Sequence, residues 1–274
     1  MYPIGYYQQQ DLPFFGKAAP YWTVCDRYFA AFLGPTFPNR LYQHAATTDR
    51  IENTFAASTL PTIWDRLAAK GISAAYYYGN LPFLLIWRDK YEALQRSYAQ
   101  FFAACRTGRL PSVSFVDPVF TGTDEGTAAD DHPHADLRAG EDFLNRVYHA
   151  ITTSPAWPRT LLVITFDEWG GFFDHVPPGV AADSDPTHAQ RGFRVPTLLI
   201  SPFARRRHVA HGVYDHTSVL KLIEWRFGLD PLTPRDAAAA NLAAALDFRR
   251  PDLTAPVYKV PHFAEGAACP PGSP

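Results

Sequence analysis

The stretch that most constrains this chain is LLVITFDEWGGFFDHV, residues 161–176. Six apolar or β-branched residues (161–166) have the length and composition of a buried strand and run directly into Asp167 and Glu168. A Gly-Gly turn follows, then Asp174 and His175. A strand apolar on both faces belongs inside a sheet covered by helices, as in layered α/β domains. In open α/β sheets, ligands collect beyond the carboxyl ends of the strands. Carboxylates on that edge, with an imidazole close by, suit a hard divalent cation or acid/base chemistry. Read alone, the same residues also describe a strand end followed by a solvated acidic turn.

Other segments repeat the pattern. Residues 72–78, 112–116 and 195–200 read as short strands; residues 61–70, 91–104 and 140–152 read as helices. Apolar positions at Phe143, Leu144, Val147 and Ile151 give the last of these a helical stripe. Residues 21–33 are aromatic and amphipathic and predict a further helix. The sequence DHTS opens a patterned helix, VLKLIEWRF, that stops at Gly228. From about Asp236 the chain is Ala-rich and then Pro-rich, which predicts a peripheral helix and a loose tail. No linker composition divides residues 1–274, so one domain is expected. A net charge of −2 gives no electrostatic footprint for nucleic acid. Apolar runs fall short of the ~18 residues of a membrane span, and the N-terminus has no signal-peptide pattern. Cys25, Cys105 and Cys269 permit at most one disulfide.

The polar clusters fall after predicted strands (Asp117, Asp167-Glu168, Ser201) or at helix starts (Thr36, Asp215-His216). Thr36, before Phe37-Pro38, reads as the N-cap of a helix, where free backbone N–H groups attract phosphate; a plain cap is the simpler reading. Asn39 and Arg40, one turn on, suit anionic oxygens or capping. The loop between Phe120 and Arg138 is too long for a simple connector. Its segment DDHPHAD offers Asp130, Asp131, His132, His134 and Asp136 for metal or proton transfer. His44, His149, His188, His208, His211 and His262 lack acidic company and read as packing or surface residues. Arg205-Arg206-Arg207 reads as a solvated turn. Tyr76-Tyr77-Tyr78, Trp169, Phe172 and Phe173 suit either a choline-like cation or an aromatic core.

Four segments in order, YWTVCDRYFAAFLGPTFPNRLY, DDHPHADLRAGEDFL, LLVITFDEWGGFFDHVPP and GFRVPTLLISPFARRRHVAHGVYDHTSVLKLIEWRFG, cover most of residues 21–228. Together they resemble the bacterial phosphoesterase family of phosphocholine-preferring phospholipases C and AcpA-type acid phosphatases, in the alkaline phosphatase superfamily. The resemblance implies a three-layer α/β sandwich with a largely parallel central sheet. It implies a metal-dependent phosphoric ester hydrolase with Thr36 as metal-coordinated nucleophile, Asp167 and Glu168 as ligands, and Ca, Zn, Fe or Mn as the ion. His132, His134, His175 and His216 match site histidines; Asp131, with Asn39 and Arg40, falls on the substrate side. Phosphate esters, phospholipids among them, are the implied substrates, and such proteins are mostly exported.

One family motif is not matched. A Glu-Asn segment of the type ENRSFDHYFG, expected upstream of the YW segment on the first strand, has no counterpart, so that strand and two ligands are expected to be missing. Glu52-Asn53 lies downstream of Thr36 and lacks the following pattern. The alternative expectation is therefore a metal-poor remnant that serves as a binding or structural protein on the same scaffold. A sulfatase is disfavoured, because GPTFPNR is not a formylglycine setting.

Overall fold

A computed structural model describes residues 6–120 and 128–263; residues 121–127 of the long loop, and Cys269 with the rest of 264–274, lie outside the described residues. The strands are β1 (Thr23–Cys25), β2 (Tyr28–Phe29), β3 (Ala74–Tyr78), β4 (Gln95–Ser97), β5 (Val113–Val116), β6 (Leu162–Thr165), β7 (Thr197–Ile200), β8 (His208–Ala210) and β9 (Tyr214–Asp215). The helices are α1 (Phe15–Ala18), α2 (Thr36–Ala45), α3 (Ile63–Ala69), α4 (Tyr98–Thr107), α5 (Leu137–Thr152), α6 (His216–Phe227) and α7 (Pro234–Ala238). One sheet has the order β4-β3-β5, a second β6-β7-β1-β8, and β2 pairs with β9. Every pair is parallel except β7 with β1 and β7 with β6. The expected α/β fold with largely parallel pairing is what forms.

Tertiary burial decides several elements. β7 buries all four of its residues, as its TLLI sequence requires. Residues 21–33 form β1 and β2 rather than the expected helix. Trp22, Thr23 and Cys25 are buried, and β1 lies between β7 and β8, so partners on both edges outweigh an aromatic spacing that also fitted a helix. The helix expected over 91–104 begins only at Tyr98, where Ser97 accepts from the Gln100 N–H and the Gln100 side chain accepts from the Ser97 N–H. Upstream lie a 3-10 turn and β4.

The described part of the tail, through Phe263, is held against the core rather than loose. Arg235 of α7 is 1 % exposed and donates from Nη1 to Asp183 (3.0 Å) and from Nη2 to Asp215 (3.2 Å) and the Ala31 carbonyl (2.7 Å). Leu242, Ala245 and Leu246 join the main apolar cluster. Arg206, in the run expected to be a solvated turn, lies 4.0 Å over the Trp22 ring and donates to the carbonyls of Asp252 (2.7 Å) and Thr254 (3.0 Å). Trp157 Nε1 and the Tyr148 hydroxyl donate to the carbonyls of Leu253 and Pro256. Cys25 and Cys105 are free and buried. Among the described residues no helix is long and apolar enough to cross a membrane.

Glu224 of α6 is a built-in weakness of this packing. It is 3 % exposed, and burial first, then the nearby Asp236, pushes its carboxyl up to about 9. A raised acid holds its proton in the folded chain when the unfolded chain has lost it. Stability therefore falls as pH rises from the usual glutamate range toward about 9. Glu224→Gln is expected to flatten this dependence and to stabilise the chain by about 1 kcal/mol or more at about pH 8. Thermal unfolding of both proteins across that window checks it; parallel curves would refute the assignment.

Candidate functional site

The strand ends converge on one side chain. Asp117 follows β5 and Asp167 follows β6, and Arg40 of α2 donates to both, Nη1 to Asp117 Oδ2 at 2.8 Å and Nε to Asp167 Oδ2 at 3.2 Å. Arg40 is 7 % exposed and lies over the Phe120 ring at 4.8 Å. Burial would lower its pKa, but Asp117 and Asp167 outweigh that and hold the guanidinium charged. The Tyr76 hydroxyl also donates to Asp117 Oδ2. Burial and Asp117 raise that phenol well above its ordinary value, so it stays a neutral donor.

Thr36 is delivered to the same place by its loop. Pro35 takes the N-cap position, so Thr36 is the first helical residue rather than the cap expected from sequence. Its hydroxyl makes no hydrogen bond among the described residues. Asn39 does not face a ligand: fully buried, it accepts from Phe32 N–H (2.9 Å) and donates to the carbonyls of Phe32, Gly34 and Pro35. It thereby pins the turn that presents Thr36. Asn53 Oδ1 accepts from Phe37 N–H at 2.9 Å and caps α2 from outside. Asn39 and Asn53 are thus positioning residues.

His216 opens α6. Its Nε2 donates to the Asp167 carbonyl at 2.7 Å, which leaves Nδ1 facing the Tyr28 hydroxyl at 3.4 Å. Burial lowers its pKa, so the ring is neutral and its one N–H is committed. Asp215 caps α6 through Thr217 N–H (2.9 Å) and receives Arg191 Nε (2.7 Å) and Arg235. Burial would raise that carboxyl, but Arg235 and Arg191 pull it below its ordinary value.

Acids line the rest of the cavity. Burial, then Asp167, raises Glu168, whose Oε2 accepts Gly170 N–H at 2.8 Å. Burial pushes Asp130 up to about 6. Burial, then Glu141 and Asp130, raises Asp131 well above the carboxylate range; its Oδ1 is buried without a hydrogen-bond partner. Asp131 and His134 both have positive φ (60° and 85°), a strained backbone for non-glycine residues.

Thr36, Arg40, Asp117, Asp130, Asp131, His132, Asp167, Glu168 and His216 all line one cavity of about 1660 Å³. His134 and His175 do not. His175 is exposed beside Asp174, which Arg194 clamps at 2.6 and 2.8 Å. His44 is a core residue, pushed down to about 3 by burial and Arg40, with its ring against Phe115 at 4.8 Å. Tyr76 stacks on Phe115 at 5.1 Å, so the aromatic core accounts for it. Asp117 and Tyr76 carry more of the site than sequence reading assigned them; the signal was a strand ending in Asp-Pro beside a tyrosine-rich strand.

The implied metal was tested against these side chains. Among the described residues no group of three His, Cys, Asp or Glu side chains is placed to hold one ion. Asp167 spends one oxygen on Arg40, Glu168 one on Gly170 N–H, and His216 its Nε2 on a carbonyl. The described donors do not close around a cation.

Gly140 of α5 makes room for Asp131: a Cβ there would sit well inside contact distance of Asp131 Oδ1. Gly→Ala inside a helix normally stabilises by up to about 1 kcal/mol. Here Gly140→Ala is expected to destabilise by about 1–3 kcal/mol, and Asp131→Ala in the same chain to restore about 1 kcal/mol through coupling. Denaturant unfolding of the two single variants and the double checks this; additive effects would refute it.

Comparison with known proteins gives this arrangement its family. The chain is 31% identical over 278 residues to non-specific phospholipase C3 of Arabidopsis thaliana (90% of this chain, 53% of that one). It is 33% identical over 305 residues to phospholipase C B of Mycobacterium tuberculosis (90% and 57%). The chain thus spans about half the length of these curated relatives. In fold it is similar to a protein in the alkaline phosphatase superfamily from Vibrio parahaemolyticus, with TM-score 0.55, 13% identity, and 84% of this chain and 64% of that one covered. It is likewise similar to the lipoteichoic acid synthase LtaP from Listeria monocytogenes (0.53, 9%, 86% and 70%). The model of the Phosphoesterase family matches residues 1–230, and the chain belongs to that family.

Proposed function

We propose that the chain is a phosphoric ester hydrolase in which Thr36 is the nucleophile. The observation that carries this is a hydroxyl with no hydrogen-bond partner among the described residues, at the first position of α2, on the same cavity as the buried guanidinium of Arg40. The helix N-terminus and Arg40 favour the charge that gathers on the phosphoryl oxygens. Thr36 Oγ1 attacks phosphorus as the ester P–O bond breaks. Its proton passes to Asp130, whose carboxylate, at about 6, is a competent base near neutrality. The leaving alcohol takes a proton from His132 on the cavity wall. Water then cleaves the phospho-threonine and regenerates the hydroxyl. His216 orients the Asp167 backbone and gives up no proton. Phospholipid headgroup esters are the favoured substrates, on the strength of the relatives' printed activity. No step here runs through a metal, because the described donors do not close around one.

Hydrolysis of p-nitrophenyl phosphorylcholine and p-nitrophenyl phosphate, each with EDTA and with added divalent metals, tests the reading. Thr36→Ala is expected to abolish turnover and phospho-enzyme formation, and Arg40→Gln to lower kcat/KM by about a hundredfold or more. Full activity in Thr36→Ala would remove the nucleophile assignment. With Asp130 as base, kcat/KM rises as pH increases through about 6.

A second reading, a metal-poor binding or structural protein on this scaffold, is favoured by one observation: Arg40 holds the Asp167 oxygen that a cation would need. Elemental analysis after metal loading separates the two. Less than about a tenth of an equivalent bound, with no turnover on either ester, selects the second reading.

A further inference from the structure

Exposed apolar side chains gather around the start of α2. Leu33, Ile51, Phe55 and Leu85 are 46, 57, 69 and 42 % exposed and sit on the loops around Thr36. The Ile51 carbonyl lies against Gly34, close enough that a Cβ there would be 3.7 Å from it. The Phe55 ring meets Phe37, the neighbour of Thr36, edge-on at 5.1 Å. Phe37, Phe55 and Leu85 also line the cavity that holds Thr36 and Arg40, so this apolar rim opens directly onto the site.

The rim is built to stay outward. Arg50 Nη1 donates to the carbonyls of Thr54 (2.6 Å) and Ala56 (2.7 Å), and Arg88 Nη2 to the Phe55 carbonyl (3.2 Å). Asn53 Oδ1 holds Phe37 N–H, and Ser58 N–H donates to the Ile86 carbonyl (2.9 Å). A backbone tied on both sides of Phe55 keeps that ring in the open, and a grouped apolar surface of this kind marks an interaction site. Two features identify the partner. Charges on these loops cancel, with Asp49, Glu52 and Asp89 against Arg50, Arg88 and Lys90, so the contact is apolar rather than electrostatic. A phospholipid also carries its acyl chains only a glycerol's length from phosphorus. With phosphorus at Thr36, those chains fall at this rim.

We infer that the rim of Leu33, Ile51, Phe55 and Leu85 seats the chain on a lipid surface, with these side chains at the acyl boundary and the cavity mouth at the headgroups. The inference rests on the reading of Thr36 as nucleophile of a phosphoric ester hydrolase, and adds that substrate is met as an aggregate rather than as single molecules. Binding of this kind scales with the apolar area buried in the interface. Lacking a net charge on the contact, it is indifferent to salt and to anionic lipid.

Flotation of the full chain with phosphatidylcholine vesicles measures this contact without turnover. Expected is saturable binding that about 0.5 M NaCl changes by less than about twofold. Phe55→Ser and Ile51→Ser should each weaken it by about tenfold, with an unchanged circular dichroism spectrum. If Phe55→Ser disturbs the fold, Ile51→Ser, outside the cavity lining, still decides. Turnover gives a second readout: in Ile51→Ser the ratio of kcat/KM on vesicles to kcat/KM on soluble p-nitrophenyl phosphorylcholine should fall about tenfold. No flotation, binding lost in salt, equal binding of the variants, or a self-dimer that Phe55→Ser dissolves would each overturn the lipid contact. Intact flotation without turnover of either substrate would instead remove the hydrolase reading and leave the contact standing.

Discussion

One guanidinium holds the site side of this molecule together. Arg40 reaches from the first turns of α2 to carboxylates at the ends of strands in two different sheets. Removing the charge of a buried ion pair on one side leaves the other uncompensated, at a cost of about 3–5 kcal/mol. Asp117 would then lose its main counter-charge at 3 % exposure. The same contact sets the position of Thr36, because Thr36 and Arg40 lie one helical turn apart on α2. Structure and proposed chemistry therefore share a single charge.

A second layer of pairs holds that first one in place. Asp215 accepts from Arg191 and Arg235, caps α6, and so orients His216 against the Asp167 backbone. Asn39 and Asn53 fix the two sides of the α2 start. None of these side chains needs to touch a substrate to matter. Each restricts where Thr36, Arg40 or Asp167 can go, which is how a site gains precision from residues outside it.

The strands and the acids at their ends were legible because they depend on local pattern. The run before Asp167 is continuously apolar, Gly228 stops α6 in the left-handed region, and Ser97 with Gln100 spells a capping box. What could not be read was decided by distant partners. β1 is a strand because β7 and β8 flank it, and nothing within residues 21–33 records that. Asn39 is one turn past Thr36 and looks like a ligand, yet its amide is consumed by the preceding loop. Arg235 sits at the edge of an Ala-rich stretch that reads as peripheral from about Asp236, and only the fold brings Asp183 and Asp215 to it. Histidines divide the same way: His216 is held by a carbonyl just beyond β6, while His175, next to the most telling motif, is exposed.

Arg235 also redraws the boundary of the folding unit. The family match ends at residue 230, yet the carboxylates of Asp183 and Asp215, both inside the match, are neutralised by a cation beyond it. The segment through Leu246 closes the main core, and Arg206 and Trp157 grip the backbone that follows. The stretch aligned with the curated relatives, 90% of this chain, reaches beyond the family match and takes in Arg235. The matched region thus depends for its charge balance on a residue outside it.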